Sequence, residues 1–234
     1  RARGRPRRPR PRGAMALGPA GIGWFPGLED PTGEASWAAA VVLAAHLRRS
    51  AGCTAAKDLS RAGPRRGSAT QGLLAGRSVL ELGAGAGALA RAAADLQPRS
   101  LVATDLPHRV PGLERALQDW PCAEAEALPW GDAAAVADLC RRRFGAPHAE
   151  LVLCTDCLYA NWADDLGAAL AVTLEASLDQ GGLGRALVAY TPRCEVHEAH
   201  FFECAKARGL HFRALEAPPA ERAAAEGALD GASD

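Results

Sequence analysis

Residues 79–87, VLELGAGAG, run from an apolar strand through a glutamate into a glycine-rich turn, and the alanine-rich stretch Ala88 to Leu96 follows as a helix. Glycine has no Cβ and takes positive φ at little cost, so Gly83, Gly85 and Gly87 let the backbone turn tightly and approach a ligand closely. The free amides at the start of the helix behind them suit a polar or anionic group. Twenty residues past Gly85, at the end of a second apolar run (Leu101 to Thr104), stands Asp105, placed to accept hydrogen bonds from ribose hydroxyls. Strand, glycine turn, helix, strand and acid together point to a nucleotide cofactor, where glycines alone would mark only a tight turn.

The same string fits the dinucleotide fingerprint through Gly83, Gly85 and Ala88, so an NAD site is the first alternative. Two acidic features favour a different cofactor. Glu81 lies two residues before the first glycine, where its carboxylate would emerge at the carboxyl end of the strand beside the ligand crevice, a position an NAD site has no general need to fill. A second cluster, CTDCLY at 154–159, follows the apolar run Leu151 to Leu153 and would sit at the carboxyl end of another strand in the same crevice. No hydride-transfer constellation accompanies it.

Around the motif, strand and helix patterns alternate. Strands are expected at 78–82, 101–104, 123–128, 150–154, 185–190 and 211–215, with helices at 87–96, 110–119, 132–143, 162–178 and 195–208 and an earlier helix at 37–47. Short loops between alternating elements require a mostly parallel, doubly wound sheet covered on both faces, an α/β Rossmann-like architecture. Residues 1–24 lack hydrophobic periodicity and are expected to be disordered, as are 217–234. The polar, glycine-punctuated stretch 50–72 reads as a surface insertion within one domain spanning 25–216.

Five motifs recur in a familiar order: a tryptophan in TGEASWAAAVVLAAHL (32–47), LLAGRSVLELGAGAG (73–87), VATDLP (102–107), ALPWG (127–131) and ELVLCTDCLY (150–159). This set resembles methyltransferase family 16, the seven-β-strand (class I) S-adenosylmethionine enzymes of the methyltransferase-like 21 type, most characterised members of which methylate protein lysines. The resemblance covers roughly Gly33 to Leu215. It implies S-adenosyl-L-methionine as cofactor, held by Glu81, Gly83, Ala84 and Gly85, by Asp105 at the ribose with Leu106 beside it, by Trp130 near the adenine, by Trp37 lining the pocket and by Thr155 through its backbone. Asp156 and Tyr159, just beyond a strand end, become the candidate catalytic pair, Asp156 holding an incoming amine and Tyr159 shaping its channel. The expected partner is a protein with an accessible lysine. A small-molecule methyltransferase and a catalytically inactive interaction module remain as alternatives. One departure stands out: such folds end in an antiparallel strand beside the fifth, and EAPPAERAAAEGALDGASD has none of the β-branched or aromatic residues a strand needs, so the last strand is either missing or replaced by another segment.

Composition agrees with one compact catalytic domain. The 234 residues are 48% hydrophobic and 23% charged, and no apolar run approaches the roughly 18 residues of a membrane helix. An intracellular, cytoplasmic monomer is the expectation. Seven cysteines without secretory context read as reduced thiols, and Cys154 and Cys157, though a C-x-x-C, lack the second pair a zinc site would show, so no metal is expected. Net charge is zero overall, but residues 1–13 hold seven arginines and no acid, which leaves 20 basic against 27 acidic residues in the remainder. Such a body is not expected to bind nucleic acid. The tail reads either as a nuclear-localisation patch or, preferably, as sequence upstream of translation from Met15.

Overall fold

The computed structural model describes residues 21–25, 36–52, 72–158, 165–179, 181, 184–192, 194–215 and 219, with the side chains of 21–25 and 36–38 left aside. In chain order the elements are β1 (Gly21–Phe25), α1 (Ser36–Ser50), β2 (Ser78–Leu82), α2 (Ala88–Ala94), β3 (Ser100–Asp105), α3 (Val110–Leu117) and β4 (Ala123–Ala127). Then come α4 (Ala133–Phe144), β5 (Leu151–Thr155), α5 (Leu166–Ser177), β6 (Arg185–Ala189), α6 (Glu195–Ala207) and β7 (His211–Ala214). The strands form one sheet in the order β4-β3-β2-β5-β6-β1-β7, and every described pairing is parallel. The doubly wound α/β sheet expected from the alternating pattern is therefore present.

The central strands read as unbroken apolar runs because both of their faces are covered. All five residues of β2 are buried, and they divide by strand alternation. Val79 packs with Leu101, Leu151 and helices α1, α2 and α3 on one face, whereas Leu80 and Leu82 pack with Val102, Val152 and helices α4, α5 and α6 on the other. At the sheet's edge β4, AEAEA, is only partly buried, and its Glu124 and Glu126 pair with Arg142 and Arg143 of α4. Charge on an edge strand discourages pairing with another chain while tying the strand to its helix.

Two features depart from the sequence-based expectation. The position beside β6, where an antiparallel last strand belongs in the seven-strand pattern, is taken by β1, parallel to β6 through Gly21↔Arg185 to Phe25↔Ala189 and parallel to β7 through Gly21↔His211 to Trp24↔Ala214. Residues 21–24 thus correct the expectation of a disordered segment over 1–24. GIGWF sets strand-prone Ile22, Trp24 and Phe25 among two glycines after an arginine- and proline-rich stretch, which masked its pattern. All of the 217–234 tail except Pro219, and all but the ends of the 50–72 insertion, lie outside the described residues. No helix among the described residues is long and apolar enough to cross a membrane.

Candidate active site

Where the chain leaves β2 for β3 on one side of the sheet and reaches β5 on the other, neighbouring loops diverge and open a crevice at the carboxyl ends of the strands. A cleft of ≈ 830 Å³ lies there. Its walls come from four loops: Gly83, Ala84 and Gly85 after β2; Asp105, Leu106, His108 and Arg109 after β3; Leu128, Pro129 and Trp130 after β4; Thr155, Asp156 and Cys157 after β5. Ala40 of α1 and the start of α5, from its N-cap Asp165, complete it.

The glycine turn is held by hydrogen bonds on both sides. Ala84 N–H donates to Thr104 O at 2.9 Å, Thr104 Oγ1 donates to Glu81 O at 2.7 Å, and Gly87 N–H closes the turn onto Ala84 O at 2.8 Å. Gly83 and Gly85 sit at φ 66° and 55°. A Cβ on Gly83 would meet Cys157 Sγ at 2.7 Å and the Trp130 ring at 3.1 Å, whereas one on Gly85 would project into open space. Gly83 is thus needed for packing and backbone conformation alike, and Gly85 for the conformation that brings bare backbone to the cleft.

Asp105 braces this turn. Its Oδ2 accepts the Gly85 N–H and its Oδ1 the Leu106 N–H, both at 2.7 Å. A carboxylate offers about four acceptor positions, so each oxygen keeps capacity for a further donor on the cleft side. Trp130 is half-buried against the Cys157 and Leu158 side of the core, and the turn after it is anchored by Gly131 N–H donating to Thr173 Oγ1 of α5 at 2.9 Å. Cys154 and Cys157 are free, buried thiols. The Cys157 sulfur donates to Leu82 O at 3.3 Å under the glycine turn, and a hydrogen bond with Cys154, with burial behind it, pushes its pKa well up, so it stays a thiol.

Asp156 is one of two non-glycine residues with positive φ among the described residues, at 52°. Its N–H donates to Ala189 O at the end of β6 at 2.8 Å, and its Oδ1 accepts the N–H of Thr191, two residues beyond that strand, at 2.8 Å. Left-handed backbone at a residue with a side chain costs about 1–2 kcal/mol, and these two bonds hold it there.

The cleft therefore brings together Gly83, Ala84, Gly85, Asp105, Leu106, Trp130, Thr155 and Asp156. Glu81 is not in its lining. By strand alternation it shares Val79's face of the sheet, it is 1% exposed, and its Oε2 has no hydrogen-bond partner. Burial, with the Asp105 charge second, pushes its pKa up to about 8, so the carboxyl is mostly protonated at neutral pH. Trp37's side chain and Tyr159 lie outside the described residues. Sequence reading missed His108, Arg109, Cys157 and Asp165 as cleft residues. Asp165 had a signal, an acid three residues ahead of the Ala168 N–H that it caps at 3.0 Å.

A family model described as lysine methyltransferase matches residues 27–208. The chain belongs to the lysine methyltransferase family. Members of this family use S-adenosylmethionine. Among solved structures this family member is similar to fibrillarin of Aeropyrum pernix in complex with S-adenosylmethionine, at 19% identity and TM-score 0.42 over 59% of each chain. It is also similar to human N-acetylserotonin methyltransferase in complex with S-adenosylmethionine, at 16% identity and TM-score 0.38 over 60% of this chain and 44% of that one. The chain spans less than two thirds of the length of these structures. No curated protein matches it in sequence.

The residues present suit that cofactor. Backbone at Gly85 is open to the cleft, the Asp105 oxygens keep acceptor capacity, and Leu106, Leu128 and Trp130 give its lining apolar surface that would suit a base. Contact between a base and an aromatic ring contributes about 1–3 kcal/mol.

Proposed function

We propose that this chain is an S-adenosylmethionine-dependent methyltransferase whose acceptor is a lysine side chain of a protein. The observation that carries the reading is the placement of a ribose-type acid, Asp105, and a second, rigidly held acid, Asp156, in one cleft. In this reading Asp105, Gly83, Ala84, Gly85, Leu106, Trp130 and the Thr155 backbone hold the cofactor, with Trp37 completing the pocket. Asp156 holds the amine and Tyr159 shapes its channel. The bound cofactor supplies an electrophilic methyl group on a sulfonium.

What the protein must add is alignment and a neutral amine. Fixing the acceptor in line removes much of the entropy cost of a bimolecular encounter. A lysine ammonium has an ordinary pKa of about 10.4, so deprotonation at pH 7 costs roughly 4–5 kcal/mol. Desolvation in the apolar part of the cleft lowers that cost. A carboxylate fixed in the cleft wall receives the amine by hydrogen bonding and orients its lone pair toward the methyl group. Support for a protein acceptor comes from the family match and from the excess of acid outside the first 13 residues, 27 acidic against 20 basic, which steers a basic surface segment toward the chain.

The separation of binding from transfer tests the reading. Asp156→Asn leaves cofactor affinity, measured by titration calorimetry, nearly unchanged and lowers turnover, because the lost interaction belongs to the reacting complex. An equal loss of cofactor affinity would make Asp156 a cofactor residue instead. Tight binding of NAD(H) with no response to S-adenosylmethionine would remove the assignment altogether.

A further inference from the structure

Asp156 departs from strand geometry immediately after β5, and what holds it comes from elsewhere in the chain. The β5–β6 ladder ends at Thr155↔Ala189. One residue further the Asp156 N–H still reaches Ala189 O at 2.8 Å, and the side chain turns back to take the Thr191 N–H at 2.8 Å. Asp156 is thus gripped at backbone and carboxylate by two residues of one short segment. Thr191 is itself 1% exposed and precedes Pro192, which restricts it to extended backbone and leaves its amide little freedom to turn away. Its hydroxyl is buried and hydrogen-bonded to nothing, so the contact with Asp156 is made by the main chain alone.

We propose that Thr191 is a positioning residue for methyl transfer, its main-chain N–H fixing the Asp156 carboxylate at the carboxyl end of β6. The inference rests on the reading of Asp156 as the group that receives the acceptor amine. A carboxylate free to turn about both side-chain torsions of Asp156 samples several orientations, and only one presents its acceptor face to an amine in line with the methyl group. The Thr191 N–H selects one orientation before the acceptor arrives, so the carboxylate is already set to accept the amine's hydrogens. Thr191 touches neither cofactor nor acceptor in this account. It acts through Asp156, so its loss lowers turnover and leaves cofactor affinity as it was.

The test removes the N–H and keeps the rest. Replacing Thr191 by its α-hydroxy-acid analogue turns the amide into an ester, and Thr191→Pro removes the same donor by ordinary mutagenesis, so a failure of one variant to fold leaves the other. Turnover is read as transfer of label from tritiated S-adenosylmethionine to the proteins of a lysate from cells lacking the gene, and cofactor affinity as calorimetric binding of S-adenosylhomocysteine. The ester lowers transfer roughly tenfold or more with unchanged cofactor affinity, as for a lost hydrogen bond to a charged group. Thr191→Val, which keeps the N–H and removes the buried hydroxyl, recovers the transfer. In an Asp156→Ala background the ester has no further effect. The proposal is overturned if the ester transfers label at the wild-type rate, if it loses cofactor affinity in proportion, or if its effect persists without Asp156. Failure of the wild-type protein to label any protein overturns the lysine reading itself, and the inference with it.

Discussion

Gly83 and Gly85 are separated by one alanine and differ in what a side chain would meet. Both hold left-handed backbone, which costs alanine about 1–2 kcal/mol, but only at Gly83 would a methyl also collide with the Cys157 sulfur and the Trp130 ring. Gly83→Ala therefore lowers the melting temperature more than Gly85→Ala, and thermal unfolding of the two variants checks the order. Asp105→Ala removes acceptors for the Gly85 and Leu106 amides as well as for a ribose. It costs about 1–3 kcal/mol of stability and at least tenfold in cofactor affinity, and calorimetry with unaltered affinity would contradict the role given to Asp105. Glu81 carries a pH signature. Its folded pKa of about 8 lies above the ordinary carboxyl value of 4.5, so between these values the folded chain holds a proton that the unfolded chain has released. Stability then falls as pH rises through that window and levels off above it. Glu81→Gln cannot titrate, and without cofactor its melting temperature gains on the wild type from pH 5 to pH 8; parallel curves would show an ordinary Glu81. At this scale the glycine spacing and the acid 20 residues on made the turn after β2 and Asp105 legible in the sequence as parts of the cleft. It did not show that Asp156 turns left-handed or meets Thr191, because that contact spans 35 positions and depends on β5 and β6 lying side by side. Nor did it show that Glu81 is fully buried, outside the cleft lining and with its Oε2 unpartnered.

The elements from β2 to β7 stand within a few residues of where the alternating apolar pattern put them, because each central strand is buried on both faces and helices cover both. Helix α4 shows how local chemistry sets such bounds: Asp132 caps its start by accepting from Ala134 and Ala135 N–H, and Gly145 at φ 73° ends it. β1 was not legible, since five residues carry too little period to be told from a loop, and its place is chosen by the open slot between β6 and β7. That placement gives a graded truncation result. Removing residues 1–14 leaves the melting temperature unchanged, whereas removing 1–25 strips the ladder from β6 and β7 and lowers it by about 5 °C or more. Equal behaviour of the two truncations would show that β1 adds nothing to the sheet.

For the whole molecule, the proposed chemistry has two signatures in solution. Transfer to a protein lysine rises with pH as the amine loses its proton, and it weakens with added salt as attraction between the acid-rich part of the chain beyond residue 13 and a basic segment is screened. The first follows from the acceptor's charge and the second from that charge set against the 27 acidic and 20 basic residues beyond position 13, and neither is expected for a neutral metabolite. The most direct measurement incubates the protein with isotopically labelled S-adenosylmethionine and a lysate from cells lacking the gene, then locates the label by tandem mass spectrometry of the digested proteins. The account predicts methyl groups on the side-chain nitrogen of a lysine, present with the wild type and strongly reduced with Asp156→Asn. Label confined to carboxylates, nucleic acid or free metabolites would contradict it.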